Sequence, residues 1–176
     1  YGVVEFSMCN KDLDLGENCP RPHLTFPMEQ LQTGDALPGP RGWITWTESG
    51  QVELDTQAAG YIGAPGHTNN TGELTAMYKA LERASHRPPG SGPEEIHTDS
   101  LYAMNMTTGK WMPKRHTGGT PHRNADMIAR LRRLWRRLLR QRPREVTLRH
   151  VRSHTSVPGN ELADWLAGMG VKGVPI

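Results

Sequence analysis

The chain has 176 residues, of which 35% are hydrophobic and 22% are charged, with 19 Gly and 14 Pro. This length fits one domain with a substantial core, and the glycine and proline content predicts long loops. No apolar run is long enough to cross a membrane and no signal-peptide pattern is present, so we predict an intracellular protein without a membrane partner. Two cysteines, Cys9 and Cys19, are too few for a disulfide framework.

Basic residues are concentrated in one part of the chain. The formal net charge is only +3, but 14 of the 21 Lys and Arg lie between Lys110 and Arg152, where Asp126 and Glu145 are the only acids. A segment this basic favours a polyanionic partner such as a nucleic acid. A well-solvated helix face would show the same composition.

The first third of the chain predicts three strands and one long loop. Strong strand formers occupy residues 1–9, so we expect a first strand there. Residues 10–40 contain five prolines and show no period, which indicates an inserted loop. Strands at 42–47 and 51–61 are then expected to pair as a hairpin.

A helix is expected from Asn70 to about Ser85, because apolar residues recur at helical spacing from Leu74 onward. Asn69 and Asn70 are cap-type residues. Glu73 follows Asn70 at the capping-box spacing and falls in the expected first turn. Alone, this motif predicts a helix cap and nothing more.

The rest of the chain alternates between strands and helices. The predicted elements lie at residues 95–99, 101–107, 124–140, 145–151 and 161–168. The arginine-rich helix that Asn124 is placed to cap has an apolar stripe made of Ile128, Leu131, Leu134, Trp135 and Leu138. This order predicts an α/β protein with a mixed sheet flanked by helices. We expect a single domain over residues 1–170, with the insertion at about 10–40 and a tail at 171–176.

Three carboxylates lie where a predicted element begins or ends. Glu73 opens a helix, Asp99 closes a strand, and Asp164 lies in the first turn of the last helix. Each can be explained singly as a helix cap or as a partner of a helix dipole. Together they suggest oxygen ligands for Mg²⁺. Two such ions, about 3.5–4 Å apart, can clamp the attacking water and the leaving oxygen of a phosphodiester.

Four motifs in this order resemble the type 1 ribonuclease H family, which includes the ribonuclease H domains of reverse transcriptases. They lie at residues 39–43, at 68–74, at 98–100, and at His154 followed ten residues later by Asp164. The resemblance covers Pro38 to about Ala167. It implies a ribonuclease H-like five-stranded mixed sheet in the order 3-2-1-4-5, flanked by helices.

The resemblance also implies a catalytic centre. Glu73, Asp99 and Asp164 would hold Mg²⁺ or Mn²⁺, and His154, on the loop before the last helix, would help to move protons or release product. The family's first strand supplies a further Asp that touches both metal ions, and Glu5 is a candidate for that position.

Further residues would bind the substrate if the resemblance holds. Asn69 and Asn70 would reach the minor groove of an RNA–DNA hybrid, where 2′-hydroxyls distinguish RNA from DNA. Thr68 and Asn124 match positions that hold a phosphate of the DNA strand. Trp111 matches an aromatic residue that lines the DNA channel.

The first strand departs from the family pattern, because no Asp-Gly pair follows its hydroxyl residue. In one register Met8 takes the place of the Asp, and in another Glu5 does. Asp35 is a third candidate, although the strand before it would contain Pro27, which suits a central strand badly. The sequence leaves these alternatives open.

Two more departures concern nucleic-acid contacts. Gly66 stands where many family members carry an Arg of the phosphate pocket. Residues 111–124 are too few for the family's full basic protrusion helix. Nearby basic residues could substitute in part, namely Lys110, Lys114, Arg115, His116 and Arg123. The arginine-rich helix could supply additional backbone contacts.

Two functions follow from these patterns. The first is an enzyme that cleaves the RNA strand of RNA–DNA hybrids by two-metal hydrolysis, which the presence of Glu73, Asp99, His154 and Asp164 favours. The alternative is a catalytically degenerate domain that binds structured RNA or protein within a larger polyprotein or ribonucleoprotein assembly. The missing first-strand Asp-Gly motif, the long insertion and the basic helix favour this second function.

Overall fold

The structure, a computed structural model, describes residues 1–8, 42–114, 120–152 and 158–173. In chain order the described elements are β1 (Gly2–Met8), β2 (Gly42–Ser49), α1 (Asn69–Ser85), β3 (Glu94–Thr98), α2 (Leu101–Thr108), α3 (Ala125–Gln141), β4 (Val146–His150) and α4 (Pro158–Val171). The predicted insertion with Asp35, and the predicted catalytic His154, lie outside the described residues. None of the described helices is long and apolar enough to cross a membrane.

The chain divides into two compact units, one from residues 1–50 and 153–176 and the other from residues 51–152. In the first unit β1 and β2 pair antiparallel, from Gly2 opposite Ser49 to Met8 opposite Gly42. Helix α4 packs on this pair. A Cβ atom at Gly2 would lie 2.2 Å from the Ala163 carbonyl oxygen, so the backbones of β1 and α4 approach closely.

In the second unit β3 and β4 pair in parallel, from Glu94 opposite Val146 to Thr98 opposite His150. Helices α1 and α2 contact this pair and also pack against α3. The predicted stripe of α3 is confirmed, since four of its residues are buried and Trp135 is half-buried against the core. Burial of these side chains drives the packing of the unit.

The predicted strand at 51–61 is wrong. Asp55 organises turns there, because its Oδ1 accepts from the Gln57 backbone N–H at 2.9 Å and its carbonyl oxygen accepts from Ala58 at 3.0 Å. Asp side chains that bond the nearby backbone favour turns over strands. The described residues therefore form four strands in two two-stranded sheets. Helices and sheets together place the chain in the α/β class.

Two predicted caps differ from the structure. Helix α1 is capped by Thr68, whose Oγ1 accepts from the Thr71 N–H at 3.2 Å while Thr71 Oγ1 accepts from the Thr68 N–H at 2.9 Å. Glu73 therefore lies in the second turn of α1. Asn124 precedes α3 as predicted, but its side chain makes no cap bond and its Nδ2 donates to Tyr102 Oη at 3.0 Å.

The last helix is longer than predicted. Helix α4 begins at Pro158 and continues to Val171, so it extends the predicted range at both ends and includes the first residue of the predicted tail. Pro is well suited to a first helical position because its missing N–H needs no partner there. Residues 174–176 of the tail lie outside the described residues.

Candidate active site

Glu73 is fixed by a hydroxyl from another helix. Ser100 Oγ donates to Glu73 Oε2 at 2.5 Å and accepts from the Ala103 backbone N–H at 3.0 Å. Ser100 is buried and is the N-cap residue of α2. One hydroxyl therefore both caps α2 and restrains the carboxylate on α1.

Asp99 lies at the junction between β3 and α2, next to Ser100 in the chain. The junction is held by its backbone, since the Val151 N–H donates to the Thr98 carbonyl at 2.9 Å and the Ser100 N–H donates to Thr98 Oγ1 at 3.1 Å. His150 Nε2 lies 3.1 Å from the Asp99 carbonyl oxygen. Ser100 thus bonds the Glu73 carboxylate and directly follows Asp99 in the chain.

This pair of acids suits a hard divalent cation. Carboxylate oxygens are the donors that Mg²⁺ and Mn²⁺ prefer, and no sulfur or imidazole ligand is needed. Across the described residues, no three His, Cys, Asp or Glu side chains form a group that could hold a metal ion. Glu73 and Asp99 have the donor chemistry that the predicted site needs, and their role as ligands remains a prediction.

The other predicted acids belong to the first unit. Asp164 is exposed in α4. Glu5 is half-buried in β1 opposite Trp46, and the strand register shifts between Glu5 and Phe6. Such bulges re-aim the side chains around them. Of the three first-strand candidates, Glu5 is the one whose side chain the structure describes.

The turn before α1 presents an exposed polar surface. Thr68, Asn69 and Asn70 are all exposed. The reciprocal cap fixes this turn, and Thr71 Oγ1 adds a bond to the Gly66 carbonyl at 2.8 Å. Backbone N–H groups of a first helical turn have no partner within the helix, so this surface can donate to an anion.

Gly66 lies against the segment that precedes α3. A Cβ atom at Gly66 would be 3.2 Å from Arg123 Nη2, so the Arg123 guanidinium occupies the space beside this glycine. Arg123 is exposed, whereas the adjacent Asn124 is buried. The structure thus brings the turn that contains Thr68 close to the segment that contains Asn124. Arg123 therefore places a guanidinium beside Gly66, the position at which many family members carry an Arg.

Trp111 is exposed and is held in place by a residue that sequence reasoning missed. Arg132 donates through Nε to the Met106 carbonyl at 2.8 Å and through Nη2 to the Trp111 carbonyl at 2.5 Å. The Trp111 N–H donates to the Asn105 carbonyl at 3.0 Å. Arg132 lies beside the apolar stripe of α3, and this position in the sequence could have predicted that its side chain faces inward.

Comparisons with known proteins establish the family of the chain. The ribonuclease H family model matches residues 35–172. The chain is 37% identical over 144 residues to Ribonuclease H of Bordetella avium (strain 197N), an alignment that covers 78% of this chain and 84% of that protein. It is 33% identical over 143 residues to Ribonuclease H of Cupriavidus necator, covering 78% and 88%.

A third relative is longer than this chain. Ribonuclease H of Methylorubrum extorquens (strain PA1) is 36% identical over 143 residues, which are 77% of this chain and 55% of that protein. The family match and these identities, over most of the chain, establish the family. The chain belongs to the ribonuclease H family.

Proposed function

We propose that this protein is a ribonuclease H that cleaves the RNA strand of RNA–DNA hybrids by metal-dependent hydrolysis. The observation that carries the proposal is the bond from Ser100 Oγ to the Glu73 carboxylate, at the residue that follows Asp99, in a chain whose relatives are named Ribonuclease H. Family membership supports the reaction class, and the hydrogen-bonded carboxylate supports a site that is ready to bind a cation.

In this proposal Glu73, Asp99 and Asp164 hold Mg²⁺ or Mn²⁺, and Glu5 is the first-strand candidate for a fourth carboxylate. The bound ions would activate a water molecule and stabilise charge on the leaving oxygen. Ser100 limits the rotamers of the Glu73 carboxylate, as outer-shell partners of ligands do. His154 would accept or donate a proton near the scissile bond.

The same proposal extends to the fold. The family match over residues 35–172 supports a ribonuclease H-like α/β fold, with residues 1–170 as a single domain. The order 3-2-1-4-5 would need a fifth strand besides the four described, and residues 51–61, which were predicted to supply it, form no strand.

Substrate binding would use the exposed turn before α1. Asn69 and Asn70 would contact the minor groove of the hybrid. Thr68 and Asn124 would hold a phosphate of the DNA strand, with Arg123 supplying the guanidinium. Trp111 would contact the DNA strand through its exposed ring.

The test is a cleavage assay on a hybrid labelled at the RNA strand, with Mg²⁺ or Mn²⁺, comparing the wild-type chain with Asp99→Asn. The proposal expects RNA fragments from the wild-type chain and almost none from the variant. Equal rates for the two proteins would reject it.

A second candidate function is binding without cleavage, and the composition of β1 favours it. This strand contains one carboxylate, Glu5, and no Asp. A domain that lacks one ligand would keep its nucleic-acid contacts and lose most of its rate. Hybrid binding by the wild-type chain, with no cleavage in either metal, would support this second function.

A further inference from the structure

The arginines of α3 fall into two groups. Arg132 faces inward, with its guanidinium on two backbone carbonyls. The other five are exposed, and we call them the arginine face: Arg130, Arg133, Arg136, Arg137 and Arg140. At about 100° per residue they fall within an arc of roughly 120° on the side opposite the buried stripe.

The arginine face lacks opposing charge. Among the described residues none of its members forms an ion pair, and the only acid of α3 is Asp126 in the first turn. Arg133 and Arg137 are neighbours at the i,i+4 spacing. Like charges at this spacing destabilise a helix. No ion pair among the described residues offsets this repulsion, which is the expected pattern for a surface that binds an anionic partner.

The spacing of the arginine face fits a nucleic-acid backbone. From Arg130 to Arg140 the helix rises about 15 Å. Successive phosphates of one strand advance about 3.4 Å along a duplex, so the face spans about four phosphates. Protein interfaces instead need an apolar core, and Leu139 is the only exposed large hydrophobic residue of α3.

The position of α3 connects this face to the proposed substrate site. The helix starts directly after Arg123 and Asn124, beside the turn that contains Thr68. Its arginine face begins about 10 Å further along the axis. The phosphates it can reach are therefore separate from the phosphate proposed to lie at Thr68 and Asn124.

We propose that the arginine face binds the phosphate backbone of a nucleic acid beyond the nucleotides at the cleavage site. This inference rests on the proposed function for its substrate class. Because the contact is to phosphates, it adds affinity for long hybrids without adding sequence preference.

The test measures hybrid binding as a function of salt. The triple variant Arg133→Gln, Arg136→Gln, Arg137→Gln is compared with a control triple of equal charge loss, Lys79→Gln, Arg144→Gln, Lys172→Gln. Every protein in this test also carries Asp99→Asn, so that the hybrid is not cleaved. The hybrid is fluorescent and has about 30 base pairs, which is three helical turns. Anisotropy is measured between about 50 and 200 mM KCl.

The slope of log affinity against log salt should fall by about 2 to 3 in the face triple, since each lost phosphate contact removes about 0.9. The control triple should keep the wild-type slope, and Arg→Lys at the three face positions should nearly restore it. The single variant Arg137→Gln should lower the slope by about 1. It replaces the face triple in this test if the face triple does not fold. Equal slopes in the two triples would overturn the proposal.

Two further outcomes separate the alternatives. If polyglutamate binding is lost in the face triple while the hybrid slope is unchanged, the partner is an acidic protein and the proposal fails. Cleavage by the unmodified chain is measured separately. If the slope depends on the arginine face but the unmodified chain does not cleave the hybrid, phosphate binding by the face is supported and the proposed enzymatic activity is rejected.

Discussion

The two ends of the parallel β3–β4 pair use charge in opposite ways. At the starting end Arg142, only 1% exposed, donates to Glu94 Oε2 at 2.5 Å, to Glu145 Oε2 at 3.3 Å and to the carbonyl oxygens of Ala84 and Gly92. Its guanidinium is surrounded by acceptors from the chain itself. Charge there is neutralised inside the fold.

At the finishing end the acids are Glu73 and Asp99, and the group that holds Glu73 is a neutral hydroxyl. Glu73 accepts from the Ser100 hydroxyl, and Asp99 follows the last residue of β3. In the described part of the chain no Lys or Arg forms an ion pair with Glu73. Ligands of α/β proteins bind at the carboxyl ends of strands. The starting end is thus held by ion pairs within the chain, whereas the finishing end is where we propose that a cation binds.

The largest expected effect is on cleavage at the finishing end. Glu73→Gln should lower kcat by at least about 10²-fold, because even outer-shell partners of metal ligands contribute about 10- to 100-fold. Its free energy of unfolding should change little, since the amide can still accept from Ser100. A cleavage assay paired with urea unfolding checks both. Retention of the wild-type kcat would contradict a catalytic role for the finishing end.

The largest effect on stability is expected at the starting end. Arg142→Met should lower the free energy of unfolding by about 3–5 kcal/mol, because Glu94 and two carbonyls lose a buried partner. The exposed Arg144→Met is the matched control and should stay within about 0.5 kcal/mol. Urea unfolding gives both values. A loss as small as the control's would show that this network is not structural.

Ser100→Ala should have a mixed effect, because its hydroxyl serves a helix cap and a carboxylate. We expect a stability loss of about 1 kcal/mol from the cap. We also expect a roughly 10- to 100-fold lower kcat from the freed Glu73. Ser100→Thr keeps the hydroxyl and should retain both properties. Ser85→Ala is the control, because the Ser85 hydroxyl bonds only the Glu82 carbonyl. If Ser85→Ala and Ser100→Ala both keep full activity, Ser100 does not position Glu73.

The smallest expected effect is on acid stability. The Gly90 N–H, and then the Arg142 guanidinium, hold the pKa of the Glu145 carboxyl below its usual range. The ionised form is favoured in the folded state, so this contribution is present above the usual pKa of about 4.3 and is lost as pH falls through the lower folded value. Glu145→Gln should flatten the acid limb of a stability–pH curve. Superimposable acid limbs would count against this linkage.

The sequence located the acids but not what holds them. Asp99 could be placed because a strand pattern ends on it, and Glu73 because it lies near the start of a helix, although in its second turn and not its first. The Ser100–Glu73 bond joins residues 27 positions apart, and Arg142 bonds groups up to 58 positions away, so neither follows from local pattern. Such contacts exist only after the helices have packed on the strands.

Local competition explains the errors. Residues 51–61 lie after a correctly predicted strand, but Asp55 bonds its own backbone and forms turns instead. Asn69 and Asn70 are good cap residues by type, yet Thr68 caps α1 because Thr71 completes the reciprocal pair. The apolar stripe of α3 was predictable because its period is long and strong. The inward turn of Arg132 depends on carbonyls of another segment.

The most direct measurement is the initial rate of RNA-strand cleavage for the wild-type chain, Asp99→Asn and Arg142→Met, each corrected for its folded fraction. We expect Asp99→Asn to lose at least about 10²-fold. We expect Arg142→Met to cleave at nearly the wild-type rate per folded molecule. A wild-type rate for Asp99→Asn would contradict the assignment of the finishing end of β3 as the catalytic end.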